Sequence, residues 1–102
     1  MMARRLNLHK EFKNLGFKNV YFQPPENVKL KFPALIYKLN RMDISHANDR
    51  PYAIRDRYNV LYITKTPDDE MVEKLAWAFS TITNNTNYIS DTLYHYSFDL
   101  YY

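Results

Sequence analysis

The chain has 102 residues, a formal net charge of +3, no cysteine, and one glycine (Gly16) against ten tyrosines. That length makes a single domain, 1–102, which buries about two-thirds of the surface its unfolded form exposes, and the missing cysteines exclude disulfides and thiolate metal sites. A lone glycine excludes the glycine-rich loops that cradle phosphates, and so small a charge is no signature of nucleic-acid binding by itself.

Residues 2–15 read as a first helix: Leu8, Phe12 and Leu15 share a face at i, i+4 and i+7, and Gly16 follows as a C′ residue. Its other face carries Arg4, Arg5, Lys10, Glu11 and Lys13, the pattern of a solvated helix face. Val20, Tyr21 and Phe22 form a short extended segment stopped by Pro24 and Pro25. From Phe32 to about Leu39 both faces are apolar, which predicts a central strand with Pro33 at its start.

The chain then turns polar, through Asn40, Arg41, Asp43, Ser45, His46, Asn48, Asp49 and Arg50. Tyr52 to Thr64 reads as one long strand, charged in its first half (Arg55, Asp56, Arg57) and apolar on both faces in its second. The two strands fit together if their apolar halves pair inside the domain and residues 38–57 continue outward as a polar hairpin arm. Such an arm gains little from its own domain and is suited to lie against a neighbour.

Thr66-Pro67-Asp68-Asp69 predicts a helix start, with Thr66 as N-cap and Pro67 at N1, and a helix running to about Ser80. Val72, Leu75, Ala76 and Phe79 make its apolar stripe, while Trp77 points away, among Glu70, Glu73 and Lys74. A tryptophan so placed suits an interface. Thr81 to Ile89, a turn at Ser90-Asp91-Thr92, and Leu93 to Tyr102 predict a closing hairpin, with Tyr94, Tyr96, Phe98, Leu100 and Tyr102 on one face. The whole is an α+β domain, order α-β-β-β-α-β-β: two helices on an antiparallel or mixed sheet, with a projecting hairpin arm.

Chemistry finds few footholds. His9, His46 and His95 have no metal-ligand spacing, and Asp68, Asp69 and Glu70 are the acids a helix dipole favours. No nucleophile-elbow, Walker or dinucleotide pattern occurs, so neither an enzyme nor a cofactor is expected. Asn84-Asn85-Thr86 matches a glycosylation site, but with no signal-peptide pattern after Arg4 and Arg5 it reads as a loop or strand end. No stretch nears the ~20 apolar residues of a membrane span, and the expected setting is a reducing cytoplasm.

Phe32-Pro33-Ala34-Leu35-Ile36-Tyr37, the long strand Tyr58 to Thr64, and Pro67-Asp68-Asp69-Glu70 together resemble the tail-terminator (tail-completion) proteins of long-tailed bacteriophages. The final strand, with Asp91, Leu93, His95, Phe98, Leu100, Tyr101 and Tyr102, is similar to the ends of small phage structural proteins. The chain is shorter than many members and lacks the insertion some carry after the second helix. The resemblance implies a virion protein, assembled in the host cytoplasm: a homohexameric ring that caps the tail tube and joins it to the head connector. Genome DNA would pass through the lumen unread. Arg50, Tyr52, Arg55, Arg57 and Trp77 are the residues assigned to its interfaces. Other phage neck, head-completion, tail-tube or baseplate roles stay open, as does a small ferredoxin-like nucleic-acid-binding domain.

Overall fold

A computed structural model describes residues 2–48 and 50–102, with the side chains of all these except 2–4, 47 and 51–53. Asp49 of the polar segment, and the side chains of Arg4 and Tyr52, lie outside the described residues.

Helix α1 spans Met2–Leu15 and ends where the sequence places its stop. Gly16, at φ 110°, donates its amide to the Lys13 carbonyl, and Phe17 donates to Phe12 five residues back. That pair of bonds closes the helix by a left-handed glycine, and the accompanying contact between Phe12 and Phe17 (ring centroids 6.5 Å apart) locks the exit of the chain. Strand β1, Val20–Phe22, then pairs parallel with β2, Ala34–Ala47. The Phe32–Pro33 peptide is cis, and β2 begins only after it.

β3, Arg50–Thr64, returns antiparallel to β2, from Ala47↔Arg50 at the tip to Ala34↔Ile63 at the base. Helix α2 spans Glu70–Ala78, shorter than the expected 67–80. Its N-cap is Asp69 rather than Thr66, because Asp68 sits at φ 55°, outside helical geometry, and the Asp69 carboxylate accepts from the Met71 amide at 3.0 Å. Strands β4, Ile82–Ser90, and β5, Leu93–Tyr101, form the closing hairpin. The sheet is mixed and five-stranded, in the order β1-β2-β3-β5-β4.

One face of the sheet meets both helices. Leu35, Tyr37, Tyr58, Val60, Tyr62, Phe98 and Leu100 close over Leu8, Phe12, Phe17 and Leu75, all buried. Edge-to-face aromatic contacts bind the layers: Phe12 with Tyr37 (5.2 Å) and Phe79 (5.8 Å), Phe17 with Tyr62 (5.3 Å). Met71, Val72 and Phe79 complete the α2 stripe, while Ala76, assigned to it from periodicity, is exposed. On the opposite face the Lys31 amide donates to the Tyr21 hydroxyl, drawing the 23–33 connection under the β1 edge. With the β2–β3 arm included, the molecule measures 51 × 28 × 25 Å.

Candidate self-association surface: the hairpin arm

Past Leu39 and Tyr58 the β2–β3 ladder leaves the helices behind, and two irregularities shape the projecting part. Leu39 pairs with Tyr58 but Arg41 pairs with Arg57, so Asn40 is an extra residue on β2. Nearer the tip, Ser45 pairs with Ala53 and His46 with Pro51, leaving Tyr52 as the extra residue on β3. Side chains alternate across a strand, so one inserted residue exchanges the faces beyond it. Were Asn40 regularly paired instead of bulged, Arg41 and Asp43 would follow Tyr37 onto the helix side. With the bulge, Met42 and Ile44 do, alongside Ile54 and Asp56 of β3.

The expectation of an arm polar on both faces is thereby corrected: the arm is amphipathic. Leu39, Met42, Ile44 and Ile54 line the helix-side face and are exposed. The other face carries Arg41, Asp43, Arg55 and Arg57. Charges of both signs are interleaved there. Arg41 Nε lies 2.8 Å from Asp43, Asp43 stands across from Arg55, and Arg57 bonds Asp99 of β5 at 3.1 Å. The Asp99 hydrogen bond raises the Arg57 pKa further above the usual guanidinium value. Arg55 stacks its guanidinium over the Tyr101 ring at 5.2 Å. Exposed pairs of this kind add little stability, but they fix the direction in which the charges point.

The assigned interface residues fall into two places. Arg50 opens β3 beside the tip, Tyr52 is the inserted residue of the tip bulge, and Arg55 and Arg57 lie on the charged face. Trp77 stands on α2, in the helix layer on the other side of the sheet, and is 87% exposed. The fold does not bring Trp77 together with the arginines. The apolar residues of the arm went unassigned in the sequence, although Met42 and Ile44, two positions apart, carried the signal.

Elsewhere polar groups are engaged in holding the fold. Asp69 receives the Tyr62 hydroxyl at 2.7 Å and the Thr64 hydroxyl at 2.8 Å, besides the Met71 amide. Burial pushes its carboxyl up, but those three donors outweigh burial and hold it below the ordinary value. Burial, and then the bond to Asp69, drives the Tyr62 hydroxyl well above its usual range. His9 meets the Tyr37 hydroxyl at 2.7 Å; burial first, then Lys13 and Arg5, lowers its pKa. His95 stacks flat on Tyr88 at 4.6 Å, and His46 lies on the arm, so the three histidines stay apart. Among the described residues no group of three His, Asp or Glu side chains is placed to hold a metal ion, and no helix is long and apolar enough to cross a membrane. No family model matches the sequence, and no curated protein matches it either.

Proposed function

We propose that this chain is a structural virion subunit of the tail-terminator kind, which closes into a hexameric ring on the end of a phage tail tube and there meets the head connector. One observation carries the self-association part of this reading: a hairpin arm extends past the helices with Leu39, Met42, Ile44 and Ile54 uncovered on one face and a set of oriented charges on the other. Apolar residues exposed side by side on a projection are suited to burial against protein. A head-to-tail contact fits such an arm, since it presents one surface to a different surface of the next copy, and that class of contact closes rings. The resemblance of the Phe32–Tyr37 and Pro67–Glu70 segments supplies the tail-end role and the copy number. The task needs no catalytic group.

The test is the native mass of the chain at micromolar concentration, alone and mixed with tail-tube protein. A ring-sized assembly in either sample, lost in Arg55→Glu or Ile44→Asp variants that keep the wild-type circular dichroism, is the expected result. A chain that stays monomeric in both samples and instead binds single-stranded nucleic acid with steep salt dependence overturns it.

A further inference from the structure

The far edge of the sheet offers a second surface, distinct from the arm. β4, Ile-Thr-Asn-Asn-Thr-Asn-Tyr-Ile-Ser from 82 to 90, carries no ionisable side chain other than the Tyr88 phenol and no proline, and every residue from Asn84 onward is exposed. Edge strands are ordinarily protected by charge, proline or a bulge. The arm has such protection, with Arg41, Asp43, Arg55 and Pro51. β4 has only the bulge between Asn84 and Thr86, and beyond it Thr86 to Ser90 runs regularly against β5.

The turn settles which backbone groups face outward. Asp91 and Thr92 both have positive φ (51° and 64°), the geometry of a two-residue primed turn, in which the flanking residues Ser90 and Leu93 exchange backbone bonds. Bonded and non-bonded pairs alternate along an antiparallel ladder, so Tyr88↔His95 and Thr86↔Ser97 also bond inward. Asn87 and Ile89 therefore direct their amide and carbonyl groups to the open edge.

We infer that β4 pairs antiparallel with β4 of a second copy across a two-fold axis at Tyr88. The placement follows from the outward groups. Asn87 of each copy meets Ile89 of the other, and each pair exchanges both backbone bonds. A centre at Asn87 calls on the bulged Asn85, and one at Ile89 calls on the turn. A copy is the occupant because the strand complements itself: in this register every outward amide and carbonyl of Asn87 and Ile89 finds its partner, the contact runs along an uncharged strand, and the two Asp91 side chains lie at opposite ends of the seam. The side chains agree as well. Tyr88 falls opposite Tyr88 in a non-bonded pair, where side chains approach most closely, and extends the existing Tyr88–His95 stack across the seam. Ile89, 66% exposed in the single chain, lies diagonal to its own copy on the other face. This inference goes beyond the ring reading and does not rest on it, since β5 and β3 separate β4 from the arm's β2.

The test uses sedimentation velocity over a concentration series together with amide exchange by NMR. Asn87→Pro removes an outward amide that the hairpin does not use, and Ile89→Lys adds the missing edge charge. Each is expected to weaken the dimer about tenfold or more, the proline by losing one cross-strand bond from each copy and the lysine by bringing two like charges to the seam, with an unchanged circular dichroism spectrum. Should the proline variant misfold, the lysine variant and the wild-type exchange data decide. In the wild type, the Asn87 and Ile89 amides become protected as concentration rises, while Tyr88 is protected throughout. The chain has no native cysteine, so Tyr88→Cys is expected to oxidise to a covalent dimer much faster than Thr83→Cys. Unprotected Asn87 and Ile89 amides in an associated sample overturn the seam, as does equal cross-linking of the two cysteine variants. Ile44→Asp separates the two interfaces: it is expected to remove ring-sized species and leave the two-fold dimer.

Discussion

Ile44 stands directly across the ladder from Ile54, and at 44% and 40% exposure both remain in solvent on the side of the sheet where the helices lie. The pair contributes little to the isolated subunit beyond a cross-strand contact of about 0.2–1 kcal/mol. If a neighbour covers it, burying the remaining exposed part of each side chain contributes roughly 0.6–1.3 kcal/mol to association. Ile44→Thr and Ile54→Thr keep the β-branched shape that strands favour while removing apolar surface. The expected outcome is a melting temperature within a few degrees of wild type and an association constant lowered by up to about tenfold per substitution. Parallel loss of folding and assembly would show that the pair serves the monomer instead.

Asp69 ties together three elements through one carboxylate: the end of β3 by Thr64, the core by Tyr62, and the start of α2 by Met71. Asp69→Ala removes the cap and leaves two hydroxyls without their acceptor, a loss expected to total about 2–4 kcal/mol in denaturant melts. Asn in its place has one carbonyl oxygen for both tasks, so Asp69→Asn is expected to recover only part. Its folded pKa lies below the ordinary 3.8. The corresponding stability is therefore present above the unfolded value and is lost as pH falls through the folded one. Melts from pH 5 to pH 2 should show that loss in the wild type and its absence in Asp69→Asn.

His9 gives a separate window at higher pH. Its pKa is lowered from 6.5, first by burial and then by Lys13 and Arg5, so the unfolded chain takes up a proton before the folded chain does. Stability from the neutral ring is complete above about pH 6.5 and declines as pH falls below that value toward the folded pKa. An NMR titration should find His9 titrating below a random-coil histidine. Between pH 7.5 and 5.5 the melting temperature should fall in the wild type and stay flatter in His9→Gln.

What the sequence revealed and what it concealed divide along physical lines. The seven elements and their order follow from apolar periodicity, from Gly16 as a helix stop, and from a turn at Asp91-Thr92. The arm followed from two strands too long for the core. The side to which its apolar face turns was hidden, because simple alternation from Tyr37 puts Arg41 and Asp43 on the helix side, and only the bulge at Asn40 reverses that. A bulge leaves no periodic trace in one strand; it becomes visible when the register of the partner is known. The α2 start was misplaced for a related reason. Thr66-Pro67 has the composition of a cap, but Asp69 also has two hydroxyls waiting for it across the turn, and tertiary contacts outrank local preference.

Trp77, the single tryptophan, reports on the surface that periodicity singled out. On α2 it points away from Leu75 and the core and is 87% exposed, so it contributes nothing to packing in the lone chain. Trp77→Ala should change unfolding free energy by no more than about 0.5 kcal/mol, as expected for a surface position. The unassembled subunit should show the long-wavelength emission of an indole in water and ready quenching by acrylamide. If the helix layer takes part in the ring contact, assembly shifts the emission to shorter wavelength and reduces quenching, and Trp77→Ala weakens assembly in proportion. Because the arm and Trp77 lie on different parts of the molecule, a head-to-tail contact has room for one on each side: the arm of one copy reaching toward the helix layer of the next. Emission that is the same in free and assembled subunits would remove Trp77 from that contact and direct the search for the arm's receiving surface elsewhere.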